Sequence, residues 1–271
     1  MALNTSILPR MSERIKISIL LVITAIAIVG ALFVPAFPQD IAYHTFFDQR
    51  SYYGISNFWN VVSNLPFLIV GLLGFRLVRR QSQSYYIKQN RISYSLFALG
   101  ITLTAFGSTY YHLQPANNTL LWDRLPMSLA FMSFFCIVIS DYLSQSFASK
   151  ILFPLVILAG ACVIYWHYTE SIGAGDLRFY ILVQFLPLVL ISLVLVMFDH
   201  QTLRSNMIWS ALGMYILAKV LEVYDQKIYE ILGLVSGHTL KHLAAAVGAY
   251  YLIARAEILA IVKSTPPRAH Y

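Results

Sequence analysis

GSTYYHLQPANNTLLWDRLPM, residues 107–127, joins two long apolar runs and decides how the chain is read. The stretch carries Ser108, His112 and Asp123 where hydrocarbon would meet water. Ionisable side chains near hydrocarbon are costly and are kept for pairing or for function. If both flanking runs cross a bilayer, the QPANN segment is a tight turn at one membrane face. The polar residues beside it then share one depth.

Composition supports the membrane reading. Of the 271 residues 58% are hydrophobic and only 11% charged, with a mean hydropathy of +0.66. A soluble domain carries roughly 25% charged residues. Apolar runs of about 20 residues recur along the chain, the length a bilayer-crossing helix needs. The expected fold class is all-α: a polytopic membrane protein whose bundle forms a single domain. The net charge of +7 does not point to nucleic acid. Its basic residues lie in short loops between apolar runs, where they set topology. Cys136 and Cys162 both fall inside apolar runs without CxxC spacing, and read as small packing residues.

Eight spans are expected. The first covers about Ile17 to Phe37; it is longer than the ~7–15-residue core of a signal peptide and ends without a small-x-small cleavage site. The others cover about Asn57–Phe75, Ser93–His112, Leu121–Leu143, Ile151–Tyr168, Phe179–Phe198, Met207–Tyr224 and Ser236–Ile258. Pro66, Pro126, Pro154 and Pro187 lie within spans, where membrane helices tolerate them. The chain thus divides into an N-terminal segment with an added helix (1–37), a seven-helix domain (38–258) and a C-terminal tail (259–271) that includes STPPRAHY.

Lysine and arginine test this layout. With both termini in the cytoplasm, Arg10, Arg14, Lys16, Arg76, Arg79, Arg80, Lys88, Arg91, Lys150, Arg204, Arg255, Lys263 and Arg268 face the cytoplasm. Only Arg50, Arg178 and Lys227 face the other side, leaving Arg124, Lys219 and Lys241 in spans. That bias follows the positive-inside rule and suits a bacterial inner membrane.

The same layout, built without histidine or aspartate, brings His112, Asp123, His238 and His242 to the non-cytoplasmic face. His238 and His242 are spaced i, i+4, on one helix face ~6 Å apart along the axis. Such a pair can bind one metal ion, and His112 could add a third nitrogen. Three histidines without a fourth protein ligand describe a catalytic zinc site with an open position. Ser108 lies four residues before His112 and faces the same way; its hydroxyl could hold a water or donate to an oxyanion. Asp123 could take a proton or orient a histidine. Blander readings stand beside these. The histidines could hydrogen-bond neighbouring helices and Ser108 could simply pack, while Asp123 could pair with Arg124 or cap a helix. Lys219, Glu222 and Asp225, at i+3 spacing, read as a structural Lys219–Glu222 pair or as an ion path. Lys241 is expected to point away from the histidines and snorkel to the interface. Asn60, Ser63 and Asn64 form a polar face that bridges helices or tunes the site. His44, His167 and His200 show no partner in the sequence.

At these residues the chain resembles a known family. GSTYYH, WDRLPM and HTLKH, with NFWNVVSNLPF at 57–67, are similar to motifs of the alkaline ceramidases of the CREST superfamily, in the same order from about Asp48 to Tyr251. The resemblance implies a seven-helix bundle, so the first span would be an addition. It implies zinc on His112, His238 and His242, with Ser108 and Asp123 completing the site. It implies hydrolysis of the ceramide amide to a sphingoid base and a fatty acid, with the lipid drawn from the bilayer and no protein partner evident. The animal enzymes also hold calcium in the acidic loop before the first core helix. Asp48 matches part of that loop, but Asn57 replaces a glutamate and Arg50 and Ser51 interrupt the acidic run, which argues against calcium. Two alternatives differ in class: a CREST-type receptor with a structural zinc, and a proton-coupled transporter using Asp123, Lys219 and Glu222 as a relay.

Overall fold

The computed structural model describes residues 11–198 and 204–262. Arg10, His200, Lys263, Arg268 and the STPPRAHY tail lie outside the described residues. The helices are α1 (Glu13–Phe33), α2 (Phe58–Val62), α3 (Leu65–Arg80), α4 (Tyr85–Leu113), α5 (Asn117–Tyr142), α6 (Gln145–Ser171), α7 (Arg178–Met197), α8 (Ser205–Val223), α9 (Asp225–Leu232) and α10 (Gly237–Val262), with a short 3-10 turn at Ile41–His44. Among the described residues there is no strand beyond one isolated bridge in a turn, Tyr52 to Ile55. Eight helical segments are long and apolar enough to cross a membrane, α2 and α3 counting as one.

The second span shows how sequence shapes the bundle. A single helix from Asn57 is interrupted at Ser63–Asn64, and Pro66 opens α3. Proline has no N–H to donate and its ring crowds the carbonyl four residues back, so the ladder breaks there. Asn57, just before α2, has φ of 49°, a left-handed conformation that asparagine tolerates better than most residues. Pro126, Pro154 and Pro187 remain inside continuous helices.

The helices overrun the apolar stretches mainly on the basic side. The third begins at Tyr85 rather than Ser93, and the eighth continues to Val262. This corrects one topology assignment. Arg255, counted with the cytoplasm-facing residues although it falls within the expected eighth span, is buried in α10, where its Nη1 stands 2.8 Å from Asp141 Oδ2 of α5. A buried cation is retained when a counter-charge meets it, and the sequence separation of that pair hid it.

α4 and α5 form the most extensive helix pair, and α10 packs on α8 and α3. α1 buries only Leu20 and rests on α7, so it hangs on the outside of the bundle. α7 and α8 scarcely touch. The segment between α1 and α2 folds back over one end of the bundle, placing Phe46 in a buried cluster with Tyr111, Leu120 and Trp166.

Candidate metal centre

His112 lies in the last turn of α4, and His238 and His242 in the first two turns of α10. All three are buried. His112 Nε2 stands 3.2 Å from His242 Nε2 and 3.4 Å from His238 Nε2. A tetrahedral ion with bonds of about 2.05 Å would hold its nitrogens roughly 3.3 Å apart. His112 Nε2 thus faces two other ring nitrogens. The three residues could hold one metal ion, and their nitrogen donor set suits zinc.

Proton accounting around His242 points the same way. The Ser63 hydroxyl donates to the Asn60 carbonyl at 3.1 Å. Its oxygen lies 2.7 Å from His242 Nδ1. With its single proton committed, Ser63 accepts from Nδ1–H, which leaves the Nε2 lone pair bare and turned to the other two histidines. Asn60 is itself fixed: its Oδ1 accepts from the Thr239 hydroxyl at 2.8 Å, and its carbonyl also accepts from Asn64 Nδ2 at 2.8 Å. The polar face of α2 therefore both bridges to α10 and braces a histidine.

Backbone contacts hold the helix ends in place. Asp225 Oδ1 accepts the His238 N–H at 2.6 Å, and Oδ2 accepts the Phe47 N–H at 3.3 Å. Asn57 Nδ2 donates to the His112 carbonyl at 2.8 Å. The Phe46 ring packs on His112 and His238 with centroids 4.7 and 4.6 Å away. Gly107 lets α4 abut α5 beside Asp123: a Cβ there would fall on the Trp122 carbonyl oxygen. Gly237 lets α10 abut the end of α8 in the same way, against the Leu221 carbonyl.

Ser108 and Asp123 lie together on the wall of a cavity that also touches His242. The Ser108 hydroxyl hydrogen-bonds the Asp123 carboxylate, while Asp123 Oδ1 has no partner among the described residues. The cavity is about 350 Å³. Its polar end holds Gln39, Tyr43, Ser108, Asp123, Lys219 and Glu222; its far end is apolar, with Phe97, Phe134 and Leu252. A second cleft between α7 and α8 shares Phe185, Leu188, Leu212, Tyr215 and Lys219 with this wall.

Several expectations change here. Lys241 does not snorkel away: it lines the cavity, with Nζ 2.6 Å from Glu222 Oε1. Glu222 is bound to Lys219 as well, and accepts from the Tyr43 hydroxyl at 3.3 Å. Burial above all, with the Glu222 charge second, pushes the Tyr43 phenol well above its usual pKa, so it remains a donor. Asp225 is not on one face with Lys219 and Glu222, because α8 ends at Val223 and Asp225 opens α9. His44 does have partners, Tyr111 Oη at 3.0 Å and Asn117 Oδ1 at 2.9 Å. Asp123 makes no ion pair with Arg124 among the described residues; Arg124 instead donates to Gln39 Oε1 at 2.5 Å. Gln39, Tyr43 and Phe46 could not be read as site residues, since they reach it from a loop far away in sequence.

The acidic loop does not fit calcium. Arg50 clasps both oxygens of Asp48 at 2.8 Å and donates to the Leu234 carbonyl at 2.7 Å. Its guanidinium holds the Asp48 carboxylate, and Asn57 is turned to the His112 carbonyl. Calcium takes six to eight oxygen ligands, and no such cage forms among the described residues.

A family model for ceramidases matches residues 49–271. None of the individual curated proteins compared with the chain matches it.

Proposed function

Because the chain belongs to the ceramidase family, we propose that it is a zinc-dependent membrane amidohydrolase. It cleaves the amide of ceramide or a related N-acyl lipid to a sphingoid or other amine and a fatty acid. One observation carries this reading: His112 Nε2 stands 3.2 and 3.4 Å from the Nε2 atoms of His242 and His238, with one ligand atom from each of the three residues within 4.8 Å of the others, next to a cavity lined by Ser108 and Asp123.

His112, His238 and His242 would hold the ion through Nε2. Zinc in such a site supplies Lewis acidity, lowering the pKa of a bound water to about 7 and polarising a carbonyl oxygen. Asp123 is the general base: its unpartnered Oδ1 takes the proton of the attacking water and returns it to the amine as the C–N bond breaks. Ser108 holds the other side of that carboxylate, and its hydroxyl is near enough to Asp123 to steady the water as well. Ser63 fixes the His242 tautomer. The apolar end of the cavity accommodates an acyl chain, and the cleft between α7 and α8 supports access from the lipid phase. Positive-inside bias supports a site on the non-cytoplasmic face with both termini cytoplasmic. A relay through Glu222 has less support, because both neighbouring lysines hold that carboxylate.

The test is a panel of ceramides and other N-acyl lipids given to purified protein with measured metal content. Hydrolysis is expected with about one zinc per chain, is lost on chelation and returns with zinc. His238→Ala is expected to lose both metal and turnover. Failure to take up zinc on reconstitution, or zinc-loaded protein that cleaves no long-chain amide, overturns the proposal.

A further inference from the structure

Arg124 is a buried cation without an anionic partner. It is 5% exposed and lies in the second turn of α5, within a membrane span. Among the described residues no carboxylate comes within ion-pair distance. One nitrogen, Nη2, donates to Gln39 Oε1, and Nη1 has no partner. The guanidinium carbon lies against two rings, 4.1 Å from the Trp166 centroid and 4.3 Å from that of Tyr180. Cation–π contacts of this kind attract a guanidinium while leaving its N–H groups for hydrogen bonding. A charge buried without a counter-charge is strongly unfavourable, so an unneutralised guanidinium beside a cavity is most easily understood if something else neutralises it.

The cavity wall lacks that something. Its cations are Arg124, Lys219 and Lys241, and its carboxylates are Asp123 and Glu222. Glu222 is bound to both lysines. Asp123 is engaged by Ser108. The wall is short of one negative charge, and Arg124 is the one of its three cations that no carboxylate meets within ion-pair distance among the described residues. Gln39 reaches it from the segment that covers the bundle end, and the rings of Trp166 and Tyr180 lie near the same ends of α6 and α7. Arg124 therefore stands at the polar end of the cavity, opposite the apolar end that suits an acyl chain.

We propose that Arg124 forms an anion subsite at the polar end of this cavity, taking a carboxylate, sulfonate or phosphate group carried by a single-chain or N-acyl lipid. Lys219 and Lys241 add to the positive field there. The proposal deepens the hydrolase reading and rests on it for the amide, but the anion preference can be measured without any turnover. The anion has two possible sources: the head group of an amide substrate, or the carboxylate released as product.

Equilibrium binding to the purified full-length protein in detergent separates these. Two matched pairs serve as probes. N-hexadecanoyl taurine and N-hexadecanoyl ethanolamine differ in a head-group sulfonate or hydroxyl; hexadecanoate and hexadecanol differ in a terminal carboxylate or hydroxyl. Wild type is expected to favour the anionic member of at least one pair about tenfold. In Arg124→Gln that ratio is expected to fall about tenfold, and in Arg124→Lys to fall less, since charge is kept and only the planar edge is lost. A ratio lost in the taurine pair assigns the head group, and one lost in the hexadecanoate pair assigns the product; both support the subsite. No preference in wild type overturns it, whatever the variants do. So does a preference that survives in Arg124→Gln of wild-type melting temperature. If no amide is cleaved but the anion preference tracks Arg124, the hydrolase reading fails and the subsite stands.

Discussion

Ser63→Ala isolates the proton accounting at the metal centre. The substitution removes one oxygen and nothing that would touch the ion. In the wild-type chain the Ser63 hydroxyl is committed to the Asn60 carbonyl, so its oxygen can only accept from His242 Nδ1. Without it, a metal-bound His242 keeps a buried Nδ1–H with no partner, at a cost of about 1–3 kcal/mol. Metal-free protein avoids that cost, because the imidazole can carry its proton on Nε2 instead. The difference falls on the bound state alone, and it corresponds to about a 5–150-fold weaker zinc affinity. Losses of about 10–100-fold are usual when a hydrogen-bond partner of a ligating histidine is removed. Titration of zinc against a chromophoric chelator reads this directly. Ser108→Ala is the control, since its hydroxyl serves Asp123 rather than a histidine; its affinity is expected to match wild type. If Ser63→Ala binds zinc as tightly as wild type, Nδ1–H is not what Ser63 holds, and the assignment of Nε2 as the ligating atom of His242 fails with it.

Asp123→Asn preserves shape but cannot accept a proton, so zinc content should stay at the wild-type level while kcat falls by about 10²–10⁴; a variant that keeps its turnover would remove Asp123 as base. Added calcium should change neither melting temperature nor turnover, because Arg50 already holds Asp48, whereas a chelator strong enough to strip zinc should abolish turnover. Gly107→Ala places a methyl group on the Trp122 carbonyl, forcing α4 and α5 apart at Asp123; lowered melting temperature with a large loss of kcat is expected, and a neutral result would mean that α5 can shift without displacing the carboxylate.

What could be read in the sequence was what depends on local spacing. Eight apolar runs gave eight membrane-length segments, because helix length in a bilayer is set by the hydrocarbon thickness. His238 and His242 share a face because i, i+4 spacing alone decides it. His112 joins them because the QPANN turn and the span order put it at the same end of the bundle. Where the structure departs from expectation, the missing information was non-local. Arg255 was counted as facing the cytoplasm, yet Asp141, on another helix, holds it inside the bundle. Lys241 looked free to snorkel, yet Glu222 draws it inward. His44 found Tyr111 and Asn117 across the bundle.

The segment from Val34 to Asn57 contains the largest part of what was missed. Hydropathy marks it only as a polar connection between two spans. In the fold it supplies Gln39 to Arg124, Tyr43 to Glu222, Phe46 to two histidines and Asn57 to the His112 backbone. Each contact places a loop residue against a group that would otherwise face water or lipid at the bundle end. Asp225 binds the same segment from the other side, joining the Phe47 N–H to the first turn of α10. The three histidines therefore sit under a cover tied to two of the helices that carry them, α4 and α10. Access for a lipid is then easiest from the side, where α7 and α8 scarcely touch. On the proposed hydrolase reading, a lipid with its tail in the membrane would reach the site by moving sideways through that cleft, without crossing the polar cover and without leaving hydrocarbon.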